Sequence, residues 1–144
     1  MSANILRTAL AALACATALA IASPSMAATV NFKADLKGAS EVPPNNSGGS
    51  GQVTATYDTS TKKLSWKGTY SGLSGPATAA HFHGPAPSGK NAGVAVPISP
   101  NASPFQGSAT LTDAQAADLM GGQWYVNVHT AANKAGEIRG QLTK

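Results

Sequence analysis

Between residues 29 and 142 the chain is cut into short runs rich in Thr, Val, Tyr and Trp, separated by clusters of Gly, Pro, Asn and Ser. Runs of this length are too short for core helices. As strands with alternate side chains turned inward, they can share one core. The expected fold is therefore all-β, a Greek-key-like antiparallel β-sandwich or barrel of about eight strands. The strands are expected near Thr29–Leu36, Gln52–Tyr57, Leu64–Tyr70, Thr78–His83, Gly93–Ile98, Phe105–Leu111, Gln123–Thr130 and Glu137–Leu142. Asp58 to Lys63 reads as a hairpin turn, and Pro43 to Gly51 as an exposed, irregular loop. One short helix interrupts the pattern: Thr112-Asp113-Ala114-Gln115 has the form of a capping box, and Gly121-Gly122 supply a left-handed stop. Leu111, Leu119 and Met120 would then cover one open end of the strands.

The N-terminus has a different character. Arg7, the apolar run Ala9 to Ala22 and the small residues up to Ala28 form the three zones of a secretory leader, with cleavage expected after Ala27. The apolar run falls short of the roughly 20 residues a permanent transmembrane helix needs. Residues 1–27 are thus read as signal peptide and residues 28–144 as one domain, exported to the periplasm in preference to the medium, with no membrane insertion after cleavage. Cys15 is the chain's one cysteine and would leave with the leader. Ala12 ahead of it is not the large aliphatic residue that lipidation of a cysteine prefers. Disulfides, thiolate ligands and cysteine nucleophiles are then excluded from the mature domain. The net charge is +4, but the lysines are scattered and form no basic stripe, which argues against nucleic acid as a partner.

The three histidines of the chain are His81, His83 and His129. In the H-x-H pair both imidazoles leave the same side of a strand. Burial of Ala80 and Phe82 turns His81 and His83 outward, and burial of Trp124, Val126 and Val128 does the same for Tyr125, Asn127 and His129. On the last strand Ile138, Gly140 and Leu142 face inward, so His129 should lie opposite Glu137 or Arg139 and never opposite Ile138. Three neutral ring nitrogens can hold copper or zinc, and copper stands highest in the divalent affinity order. The metal residues are therefore expected to be His81, His83 and His129, with copper as the ion and zinc as the alternative. Whether the H-x-H pair meets His129 depends on strand order.

Other residues have plainer readings. Met120 is a candidate Cu(I) ligand but fits better as a helix-end core residue. Glu137 and Arg139 read as a same-face charge pair, Glu41 as an anchor for the loop after it, and Trp66 and Trp124 as core. No serine stands in a nucleophile-elbow pattern and the few acids form no catalytic pair, so hydrolase chemistry has no support and no catalytic residue is assigned.

Several motifs in order carry a family resemblance: Phe32 to Leu36 followed by Glu41-Val42-Pro43-Pro44, Leu64-Ser65-Trp66, Ala79 to Ala86, Leu119 to Thr130, and Gly136 to Leu142. In these the chain resembles the chordin-type (CHRD) domain, found repeated in the extracellular protein chordin and singly in many exported bacterial proteins. The resemblance implies a fold more than a mechanism. A looser similarity is to the copper/zinc superoxide dismutase sandwich, where His81 and His83 look like its H-x-H copper pair and His129 like its late-strand ligand. The chain lacks a further histidine for a bridging ligand and lacks a zinc loop. Three functions follow as expectations: a mononuclear metal protein for storage, delivery or tolerance; a metal-independent module binding an extracytoplasmic protein; and a copper-dependent oxidoreductase of superoxide dismutase type.

Overall fold

The computed structural model describes residues 26–144. Residues 1–25 of the expected leader therefore lie outside the described residues. The strands are β1 (Thr29–Lys37), β2 (Ser50–Asp58), β3 (Lys63–Ser71), β4 (Ala77–His83), β5 (Val94–Pro97), β6 (Phe105–Thr110), β7 (Tyr125–Thr130) and β8 (Ile138–Gln141). A 3-10 turn, Gly38–Ser40, follows β1, and one helix, α1 (Asp113–Met120), lies between β6 and β7. All eight strands join one antiparallel sheet in the order β5-β4-β7-β8-β1-β2-β3-β6.

The sheet rolls up around its apolar face. Trp66 on β3 and Phe82 on β4 stand near opposite ends of the strand order, yet their rings meet edge to face at 5.0 Å. Rolling lets one sheet enclose its own core, so Phe32, Leu36, Val53, Leu64, Phe82, Trp124, Val126, Val128 and Ile138 are all buried in one cluster. Between the edge strands β5 and β6 lies α1. Thr112 and Gln115 form the capping box, Gly122 takes the left-handed conformation at φ +72°, and Gln115 Nε2 donates to the Ala95 carbonyl of β5. The helix, entered from β6, is thereby tied to the other edge of the sheet. Leu111 and Leu119 are buried beneath it, and Met120 packs against the same core.

Residues 43–49 form the expected irregular, largely exposed loop; Ser50 and Gly51 already belong to β2, and Asn45 Nδ2 donates to the Glu137 carbonyl at 3.0 Å. The outer face of β7 and β8 is not bare. Tyr125, Asn127 and Arg139 are all buried, because residues 84–93 and the segment around Glu41 fold over that face. Polar side chains on the outside of a strand here make a second, polar layer.

Candidate metal centre

Strand order brings the histidines together. β4 pairs with β7 so that His81 faces Asn127, His83 faces Tyr125 and Ala79 faces His129. His81 and His129 are then diagonal neighbours on the outer face, and their Nδ1 and Nε2 atoms stand 3.1 Å apart. One nitrogen from each of His81, His83 and His129 falls within 4.8 Å of the others. Two nitrogens bound tetrahedrally to zinc at about 2.0–2.1 Å lie roughly 3.4 Å apart, so the trio could hold an ion. Both irregularities of β4 border this row: its pairing with β5 slips between Phe82 and His83, and its pairing with β7 slips between Ala77 and Ala79. Bulges of this kind re-aim the side chains beside them.

Hydrogen bonds fix the tautomers. His83 Nδ1 lies 3.0 Å from the Ala92 carbonyl and His129 Nδ1 lies 2.9 Å from the Lys134 carbonyl. A carbonyl accepts only, so each Nδ1 carries a proton; in the neutral ring the His129 Nε2 lone pair then accepts from His81 Nδ1 at 3.1 Å. His83 Nε2 is buried and has no hydrogen-bond partner. Burial holds His83 below the ordinary imidazole value; it does the same for His81, helped by the nearby rings of His129 and His83. A neutral ring with a free lone pair, as at His83 Nε2, is the form a metal ion needs.

The layer behind the histidines is ordered. The Tyr125 ring stacks on His83 with centroids 4.8 Å apart and planes 2° apart. From the other neighbouring strand, the Arg139 guanidinium carbon sits 3.4 Å from the centre of the same Tyr125 ring. Arg139 donates to Asn91 Oδ1 and to the Lys90 carbonyl, and the Tyr125 hydroxyl meets the backbone of Ala92. The segment that holds His83 Nδ1 is thus itself held by Tyr125 and Arg139.

The acids do not join the trio. The β7–β8 register sets Asn127 against Arg139 and Val128 against Ile138, so its continuation places His129 opposite Glu137 as expected. The Glu137 carboxylate nevertheless turns aside. It accepts from Ser47 Oγ at 2.7 Å, from Ser74 N at 2.7 Å and Oγ at 2.6 Å, and from Thr130 Oγ1 at 2.5 Å. Burial alone would raise its pKa, but these hydrogen bonds prevail and hold it at about 2. The expected Glu137–Arg139 pair is therefore absent, because four donors outcompete a guanidinium already used by Asn91, Lys90 and Tyr125. Glu41 is buried, and its carboxylate lies beside Asn127 and against Gly136, apart from the three ring nitrogens.

Sequence reasoning assigned no role to Tyr125 or Asn127. The available signal was the spacing Tyr125-x-Asn127-x-His129, which puts all three on one face. Among the described residues no helix is long and apolar enough to cross a membrane. No curated protein and no solved structure matches the chain. Residues 32–142 match the CHRD domain, from the first core phenylalanine to the last core leucine and including all three histidines. The chain belongs to the CHRD domain family.

Proposed function

We propose that this CHRD-domain protein is exported to the periplasm and binds one copper ion through His81, His83 and His129, for storage, delivery or tolerance of the metal. The observation that carries the reading is the buried, unpartnered Nε2 of His83, on a ring that shares with His81 and His129 a cluster of nitrogens within 4.8 Å of one another. A buried acceptor without a donor is costly, and a cation removes that cost. Copper is favoured over zinc because three imidazoles without thiolate suit it and its divalent affinity is the higher. His81 and His129 are half-exposed while His83 lies deeper, so an ion would enter past the first two and come to rest against the third.

The test is a competition titration of the purified protein with Cu(II), Cu(I) and Zn(II) against chelators of known affinity. One equivalent bound with a dissociation constant below about micromolar, lost when all three histidines are replaced by alanine, supports the reading. Binding no stronger than that of the histidine-free variant contradicts it and favours a metal-independent module for an extracytoplasmic protein partner. Superoxide turnover beyond that of free copper would instead support an oxidoreductase.

A further inference from the structure

Three histidine nitrogens would leave a further position on a bound ion, and Asn127 lies in the same row of side chains. Asn127 lies midway along β7 between Tyr125 and His129, directly across from His81 on β4, and it is 3% exposed. The two ends of its amide have different surroundings. Nδ2 points to the Ala135 carbonyl at 3.4 Å and, with Glu41 Oε1, occupies the space a Cβ on Gly136 would need. The Ala135 carbonyl accepts only, which sets the nitrogen on that side and turns Oδ1 the other way. Oδ1 is buried and has no hydrogen-bond partner.

On that other side is the His83 ring, close enough to the Asn127 side chain to hydrogen-bond with it were the ring protonated. With His83 Nδ1–H committed to Ala92, only a lone pair remains at Nε2. Two buried acceptors, His83 Nε2 and Asn127 Oδ1, thus share one patch with no donor between them. Neither atom has a hydrogen-bond partner among the described residues, and a single cation would satisfy both.

We propose that Asn127 Oδ1 is the fourth protein ligand, completing a site of three imidazole nitrogens and one amide oxygen with His81, His83 and His129. This rests on the reading of the histidine trio as a metal centre. It also accounts for the burial of Asn127, since a ligand amide must be held from behind, here by Ala135 and Glu41.

The experiment loads the full-length purified protein and its Asn127→Leu and Asn127→Asp variants with Cu(II) alone, measuring affinity by competition and coordination by electron paramagnetic resonance. Asn127→Leu keeps the bulk without the oxygen, and is expected to weaken Cu(II) about 10- to 100-fold and to shift the copper hyperfine splitting. Asn127→Asp offers an anionic oxygen in the same place, and is expected to bind at least as tightly as wild type with a changed spectrum. Wild-type affinity and spectrum in Asn127→Leu would overturn the fourth ligand while leaving the histidine site standing. If Asn127→Leu does not fold, Asn127→Asp decides: an unchanged spectrum overturns the proposal and a changed one supports it. A wild-type protein that takes up no copper overturns both the histidine reading and this one.

Discussion

The imidazole of His83 lies flat against the phenol ring of Tyr125, with centroids 4.8 Å apart, and Arg139 holds that same ring from the adjacent strand. The stack orients His83 without occupying either of its nitrogens. Nδ1 stays free for Ala92, and Nε2 stays free for an ion.

Replacing Tyr125 should therefore act on metal affinity through His83. Tyr125→Phe keeps the ring and loses only the bonds of the hydroxyl to Ala92, so a several-fold loss in Cu(II) affinity is expected. Tyr125→Leu removes the platform as well, and about 10- to 100-fold is expected. Equal losses in the two variants, measured by chelator competition, would show that the stack contributes nothing.

Glu137 ties three separate segments, through Ser47, Ser74 and Thr130, to the start of β8. Replacing the carboxylate by an amide sets an NH2 group against hydrogen-bond donors. Glu137→Gln is expected to cost on the order of 3 kcal/mol at neutral pH in urea unfolding. Its acid behaviour has a definite sign: a carboxyl lowered from 4.5 to about 2 on folding contributes stability that is complete above about pH 4.5 and lost as pH falls towards 2. The gap between wild type and Glu137→Gln should narrow across that window, and a constant gap would contradict the assignment.

Glu41 behaves in the opposite sense. Burial raises its carboxyl from 4.5 to about 7, against the pull of Arg139, the Val42 N–H and Asn127. An acid harder to ionise in the folded protein contributes stability that is complete below about pH 4.5 and lost as pH rises through 7. Glu41→Gln removes that loss. Its melting temperature relative to wild type should rise between about pH 5 and pH 8, and a pH-independent difference would refute the raised value.

Gly136 is the hinge on which Glu41 and Asn127 rest. Its φ is +135°, and a Cβ there would run into Glu41 Oε1 and Asn127 Nδ2. Gly136→Ala is expected to destabilise the protein by about 2–3 kcal/mol in urea unfolding. A neutral effect would mean that the buried layer yields easily.

Much of this was legible from residue order. Alternation in Trp124-Tyr125-Val126-Asn127-Val128-His129 separates the core from the outer face, and the Thr112–Gln115 box and Gly122 mark the ends of α1. The meeting of His81 with His129 was not legible, because it requires β7 to sit beside β4 across more than forty intervening residues. The burial of Tyr125 and Arg139 was hidden for a similar reason. Alternation shows which face a side chain leaves by, but not whether a distant segment such as residues 84–93 returns to cover it. Glu137 misled because its place in the register, just before β8, is right while its side chain follows the nearest donors.

The most direct test of the metal centre is X-ray absorption at the copper edge on protein loaded with one equivalent of Cu(II). The scattering pattern of imidazole rings counts the histidines on the ion. Three imidazoles are expected, falling to two in His129→Ala. One or none, or a spectrum unchanged by His129→Ala, would contradict a centre built from His81, His83 and His129.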